Sequence, residues 1–126
     1  MSSTAHRILL VAAVAALPLA CGDDDSGGGG GDIPEGAIVV DTTNQLEFRP
    51  DAISAPAGSI TIALENDGSI EHSFVIEDLE DDLRLFVSGS GDTDSGTIDL
   101  ETGDYTFYCD VPGHRGAGME GSLTVE

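Results

Sequence analysis

A short stretch near the end of the chain places three metal-binding side chains close together. Cys109, His114 and Met119 follow one another at intervals of five residues. A thiolate, an imidazole and a thioether, together with one more histidine, are the ligands of a blue-copper electron-transfer site. The only other histidine after position 6 is His72. The predicted ligands of this single copper ion are therefore His72, Cys109, His114 and Met119.

Other interpretations of these residues are weaker. A cysteine can act as a small buried hydrophobic residue, and a methionine can fill a gap in a core. Without its first 20 residues, however, the chain keeps two histidines, one methionine and one cysteine besides Cys21. At the frequencies of His and Met in this chain, the spacing after a given cysteine arises by chance about 4 times in 10,000. Zinc can occupy such a site, but the thioether of Met119 favours copper.

The chain is strongly acidic. It has 24 acidic residues, four arginines and no lysine, and its formal net charge is −20. This charge excludes electrostatic binding to nucleic acid or to an anionic membrane surface. It favours either a basic protein partner or a saline habitat, and composition does not separate these two explanations.

Residues 1–20 have the layout of an export signal. A weakly basic start precedes an apolar run of about ten residues, which is too short to span a membrane. The segment Leu17-Pro18-Leu19-Ala20-Cys21 resembles a bacterial lipobox, except that Pro18 occupies the position where leucine is usual. We expect cleavage before Cys21 and lipidation of Cys21, which would anchor the protein to the membrane.

Residues 21–35 are predicted to form an acidic, glycine-rich tether. Their composition is too polar to form a core. A glycine-rich coil of about 14 residues spans on the order of 20 Å. A disulfide between Cys21 and Cys109 is disfavoured, because it would remove the only thiolate available to the metal.

Residues 36–126 alternate apolar and polar residues with a period of two, which predicts β-strands. The predicted strands are Ala37–Asp41, Leu46–Phe48, Ser59–Glu65, Ile70–Ile76, Leu83–Val87, Thr97–Leu100, Asp104–Cys109 and Gly121–Val125. The acidic segment Glu77–Asp82 is predicted to be a loop rather than a helical turn. Seven or eight short strands joined by turns predict an all-β, Greek-key β-sandwich.

The same alternation directs two of the predicted ligands inward. His72 shares the parity of Phe74 and Ile76, and Cys109 shares that of Tyr105 and Phe107. Side chains two residues apart on a strand lie on the same face of the sheet. Both ligands are therefore expected to point into the core.

With these motifs, the chain resembles the small blue-copper proteins, the cupredoxins. Tyr105–His114 (YTFYCDVPGH) and Glu71–Ile76 (EHSFVI) are similar to segments of bacterial plastocyanin-like domains. The Cys-x4-His-x4-Met spacing is similar to that of rusticyanin, sulfocyanin and the mononuclear site of multicopper oxidases. The resemblance covers residues 37–126. One departure is Ser73, since many family members have an asparagine there that braces the ligand loop.

This resemblance implies a cupredoxin-like fold for residues 36–126 and a role for each ligand of one type 1 copper ion. His72, Cys109 and His114 would be the trigonal ligands and Met119 the axial one. An enzyme is not expected, because copper oxidases need paired His-x-His motifs that two histidines cannot supply. A binuclear copper centre needs a second cysteine in the loop. Copper binding for delivery is the alternative function.

The expected protein is a monomeric electron carrier, exported and anchored to the outer face of the cytoplasmic membrane as a periplasmic or cell-surface lipoprotein. Its partner would be a redox protein, such as a basic c-type cytochrome or an oxidase. Three apolar residues, Val111, Pro112 and Ala117, are expected to form a rim around His114. Apolar surface patches mark partner sites, so the ring edge of His114 is the expected electron port.

Overall fold

The alternation of apolar and polar residues produces two β-sheets that pack face to face. The computed structural model describes residues 32–126, which form nine strands and one short 3-10 helix. The strands are β1 Ile38–Thr42, β2 Phe48–Arg49, β3 Ala52–Ala55, β4 Gly58–Asn66, β5 His72–Ile76, β6 Arg84–Val87, β7 Thr93–Leu100, β8 Gly103–Tyr108 and β9 Glu120–Val125. The 3-10 helix spans Arg115–Ala117.

The chain crosses repeatedly between the two sheets. One sheet has the strand order β2-β1-β4-β7, and the other has the order β3-β9-β8-β5-β6. The β1–β4 and β3–β9 pairs are parallel, and the other pairs are antiparallel. The predicted all-β sandwich is confirmed, with nine strands. The strand that the sequence did not reveal is β3, where only Ile53 and Ala55 are buried and the apolar signal is short.

Two strand boundaries differ from the prediction. Strand β5 begins at His72 rather than at Ile70, because the Asn66 side chain donates to the Ile70 carbonyl and ends a turn there. Strand β7 begins at Thr93 rather than at Thr97. Main-chain pairing with β4 along its whole length stabilises this part of β7, although its side chains are polar.

The acidic segment after β5 forms hydrogen-bonded turns, as predicted, and no helix occurs between residues 77 and 82. The Leu79 N–H donates to the Ile76 carbonyl at 2.9 Å, and the Asp82 N–H donates to the Leu79 carbonyl at 3.0 Å. Asp78 has a positive φ of 68°. These turns connect β5 to β6, and within them Leu79 packs against the core.

Three phenylalanines pack in the centre of the sandwich. Phe74 and Phe107 stack with their ring centroids 4.8 Å apart, and Phe48 contacts the edge of Phe107 at 5.1 Å. Cys109 and Met119 belong to the same buried cluster. The core therefore reaches two of the predicted ligands, which are packed as tightly as ordinary hydrophobic residues.

None of the helices in the described part of the chain has the length and apolar character that crossing a membrane requires. The predicted export signal, Cys21 and residues 21–31 of the predicted tether lie outside the described residues. The remaining tether residues, 32–35, are exposed and have no regular structure beyond a turn.

Candidate metal centre

Strands β5 and β8 bring the first two ligands to one end of the sandwich. They are antiparallel neighbours, with Val75 opposite Tyr108 and Ile76 opposite Phe107. His72 is the first residue of β5, and Cys109 directly follows the last residue of β8. In an antiparallel pair the start of one strand lies beside the end of the other. His72 and Cys109, 37 residues apart in sequence, therefore lie at the same end of the sandwich.

Main-chain hydrogen bonds hold the segment 109–119, here called the ligand loop. The Cys109 N–H donates to the Met119 carbonyl at 3.1 Å, which closes the loop at its base. The Met119 N–H donates to the His114 carbonyl at 3.1 Å, and the His114 N–H donates to the Val111 carbonyl at 3.0 Å. The backbone thus fixes the three ligands of the loop relative to one another.

The structure brings the predicted ligands together. The ligating atoms of His72, Cys109 and His114 all lie within 4.8 Å of one another. Cys109 Sγ is 3.5 Å from His114 Nδ1, and the centroids of the two imidazole rings are 5.2 Å apart. Met119 is completely buried and is joined by backbone hydrogen bonds to both Cys109 and His114. Three of the predicted ligands therefore meet at one end of the core, and the backbone holds the buried Met119 next to two of them.

The donor set fits a metal ion. His72 is completely buried, and neither of its ring nitrogens has a hydrogen-bond partner among the described residues. A buried polar atom without a partner costs about 1–3 kcal/mol, and a bound metal ion would remove this cost for one of the two nitrogens. Cys109 is buried and forms no disulfide with any described residue. The set combines soft sulfur ligands with imidazole nitrogens, and this combination suits copper.

Burial keeps the His72 imidazole in its metal-binding form. Loss of hydration lowers the pKa of His72, and the nearby His114 lowers it further. A polar contact with the Thr43 backbone, which falls short of hydrogen-bond geometry, and the Glu71 carboxylate oppose this shift in part. The neutral ring, which binds metal ions, is therefore favoured at neutral pH.

Ser73 braces the two ligand-bearing segments in place of the usual asparagine. Its main-chain N–H donates to Cys109 Sγ, with nitrogen and sulfur 3.3 Å apart. Its hydroxyl oxygen accepts a hydrogen bond from the Asp110 N–H at 2.8 Å. The Asp110 carboxylate in turn binds the Arg84 guanidinium through two hydrogen bonds of 3.0 Å.

Sequence reasoning did not identify Asp110 and Arg84 as part of the site. Asp110 had a detectable signal, since it directly follows Cys109 just as Ser73 directly follows His72. Arg84 had none, because its proximity depends on the register of β5 and β6, in which Arg84 lies opposite Val75.

The surface beside His114 is formed by small and apolar residues. His114 is partly buried, Pro112 and Ala117 are exposed, and Val111 packs partly against the core. The neighbouring Arg115 is paired with carboxylates, at 2.7 Å from Glu77 and 3.2 Å from Glu120. Its positive charge is therefore more than offset, since one arginine faces two carboxylates.

Comparison with known proteins agrees with this geometry. Plastocyanin A/B of Petroselinum crispum is 32% identical over 89 residues, which cover 64% of this chain and 88% of that protein. Plastocyanin of Nostoc punctiforme is 48% identical over 42 residues, which cover 33% of this chain but only 29% of that protein. The structure of dithionite-reduced auracyanin from Roseiflexus castenholzii superposes with a TM-score of 0.64 at 22% identity. It covers 71% of this chain and 96% of auracyanin, and it supports the fold.

A sequence family covers nearly all of the described chain. Residues 35–126 match the family described as copper binding proteins, plastocyanin/azurin family. The match includes both sheets, the ligand loop and the buried His-Cys-His cluster. This chain therefore belongs to the plastocyanin/azurin family of copper-binding proteins.

Proposed function

We propose that the protein carries single electrons between redox proteins outside the cytoplasmic membrane, at a type 1 copper ion bound by four side chains. These are His72, Cys109, His114 and Met119. The observation that supports this proposal most directly is the buried His72 ring without hydrogen-bond partners, within 4.8 Å of the ligating atoms of Cys109 and His114. The family to which the chain belongs consists of blue-copper electron carriers rather than enzymes.

The bound copper ion supplies a one-electron couple between Cu(I) and Cu(II). The chain supplies a site with a fixed shape. Cys109 and Met119 are packed in the core, and backbone hydrogen bonds close the ligand loop around His114. Because these side chains have little freedom to rearrange, an electron can be gained or lost with little structural change.

Copper delivery is the alternative function. A delivery protein must release its metal readily, whereas here His72, Cys109 and Met119 are completely buried. Burial of three of the four ligands favours retention of copper. Slow loss of copper to a strong chelator, together with fast electron exchange, is the result that separates a carrier from a delivery protein.

The similarity of the Cys-x4-His-x4-Met spacing to that of rusticyanin and sulfocyanin stays a prediction.

The first test concerns Cys109 as the thiolate ligand. Cu(II) loading is expected to give an intense visible band from thiolate-to-copper charge transfer. Cys109→Ser removes the sulfur, so the band should disappear, while circular dichroism should still show a folded β-sandwich. A colourless wild-type protein with full copper occupancy would rule out the blue-copper proposal.

The second test concerns Met119 as a weak axial ligand. A long thioether bond contributes little to copper affinity, but it donates electron density that favours Cu(II). Met119→Leu should therefore retain copper and raise the reduction potential, measured by redox titration of the blue band. Loss of copper, or a lower potential, would contradict the axial role. The substitution keeps the side chain apolar and of similar volume, so the core is expected to remain intact.

The exposed edge of the partly buried His114 is the proposed electron port. Small apolar residues surround it, and the rest of the protein is acidic. We infer that long-range charge controls how often a basic partner is encountered, and that the apolar rim fixes the docked geometry. Suitable partners are a basic c-type cytochrome or an oxidase domain. Charge of this kind changes association rates by about 10–10³-fold and is screened by salt.

Electron transfer to a basic partner should slow markedly as salt is added, measured by stopped-flow absorbance of the blue band. Ala117→Glu places a carboxylate on the rim and should reduce the transfer rate without changing the copper spectrum. Ala57→Glu is the matched control. Ala57 is exposed and directly precedes β4, whose far end, at Asn66, is the end that leads to His72. Rates that are insensitive to salt would contradict electrostatic steering, and equal effects of the two variants would contradict docking at His114.

The family implies a location outside the cytoplasm, and we propose a lipid anchor for this chain. Residues 1–20 would act as the export signal, Cys21 as the lipidated terminus and residues 21–35 as the tether to the copper domain, 36–126. The apolar run before Cys21 and the acidic glycine-rich segment after it support this arrangement. Cleavage would remove Arg7 and no acidic residue, so the mature formal charge would be −21.

Mass spectrometry of the membrane fraction should show a chain that begins at a diacylated Cys21. Cys21→Ser is the matched control and should leave the chain unmodified, because lipid attachment requires the thiol. An unmodified wild-type chain that starts elsewhere and is found in the soluble fraction would show that Pro18 prevents lipidation.

A further inference from the structure

A polar cluster joins the segments that carry His72 and Cys109. Its centre is the completely buried Ser73. The Ser73 hydroxyl oxygen lies 2.5 Å from Asp110 Oδ1 and 3.6 Å from Cys109 Sγ, and it accepts a hydrogen bond from the Asp110 N–H at 2.8 Å. The hydroxyl therefore has two available acceptors, a carboxylate oxygen and a sulfur.

A count of protons decides between these acceptors. A serine hydroxyl has a single proton to donate, and an ionised carboxylate has none. A distance of 2.5 Å is typical of a strong hydrogen bond from a hydroxyl to a carboxylate, whereas the 3.6 Å contact with Cys109 Sγ is long even for the larger sulfur atom. The proton therefore lies between Ser73 and Asp110. From residue 73 the sulfur receives only the main-chain N–H.

Arg84 holds the carboxylate in the orientation that this hydrogen bond requires. Its Nε donates to Asp110 Oδ2 and its second terminal nitrogen donates to Asp110 Oδ1, both at 3.0 Å. These hydrogen bonds are the largest cause of the lowered pKa of Asp110, and the Ser73 hydroxyl adds to it. The ion pair is partly exposed, so it contributes little to stability. Its main effect is to fix the plane and the charge of the carboxylate.

We propose that Asp110, held by Arg84, is a positioning residue that draws the Ser73 hydroxyl proton away from the Cys109 thiolate and so lowers the reduction potential of the copper site. A hydrogen bond to a ligating thiolate weakens its donation to Cu(II) and raises the potential. Asp110 prevents one such bond from forming. This inference rests on the proposed role of Cys109 as the thiolate ligand, which the Cys109→Ser variant tests separately.

The experiment compares copper-loaded wild-type protein with Asp110→Ala, Ser73→Ala and the double variant. Asp110→Ala frees the hydroxyl to turn toward the sulfur. This should raise the potential and move the charge-transfer band to shorter wavelength. Loss of the carboxylate charge also raises the potential, but it does so with or without the Ser73 hydroxyl. A larger rise when Ser73 is present therefore isolates the positioning effect.

A second measurement needs no change at Ser73, whose substitution in the core could prevent folding. Resonance Raman spectra in H2O and D2O report hydrogen bonds to the sulfur through the copper–sulfur stretching frequency. The isotope shift should be larger in Asp110→Ala than in the wild-type protein. Equal rises in potential in both backgrounds, or an unchanged isotope shift, would overturn the role of Asp110. A persistent blue band in these variants would leave the proposed electron-transfer function intact.

Discussion

The copper site depends on the position of β8 between β5 and β9. The β8–β9 ladder pairs Tyr108 with Glu120, and one step further along the same register Cys109 lies opposite Met119. The hydrogen bond from the Cys109 N–H to the Met119 carbonyl continues this ladder into the ligand loop. On the other side of β8, the register with β5 brings His72 to the same edge. Ordinary strand pairing thus places three ligands before any metal is bound.

The pairing of β8 with β5 and β9 places these three ligands inside the sandwich, where they are buried. Cys109 and Met119 are apolar enough to belong to the core, but the His72 ring has two polar nitrogens without partners. The fold tolerates this ring because the surrounding sandwich is large and the three stacked and edge-packed phenylalanines stabilise it independently. The cost is localised at the site, where a metal ion can remove it for one of the two nitrogens. Metal binding is therefore expected to affect stability through His72 and not through the rest of the core.

The sequence was sufficient for features that depend on local periodicity. The inward orientation of His72 and Cys109 followed from strand alternation, and the ligand loop followed from its residue types and spacing. Features that depend on strand register were not accessible. Strand β3 is stabilised by parallel pairing with β9, and the contact between Arg84 and Asp110 requires β6 to lie beside β5. Such long-range pairing leaves no periodic signal within one segment.

The arrangement of charge separates the near field of the site from the far field of the protein. Each arginine of residues 32–126 pairs with at least one carboxylate. Arg115 lies within the ligand loop, and Arg84 binds Asp110 of the same loop. The ion pairs of Arg84 and Arg115 offset charge close to the site, whereas most of the other carboxylates of residues 32–126 have no cationic partner. Unbalanced charge acts over about a Debye length, whereas apolar contact acts only between touching surfaces. The acidic surface and the apolar rim would therefore affect different steps of partner binding. In the proposed function, the acidic surface would influence the approach of a partner, and the apolar rim at His114 would determine the docked geometry.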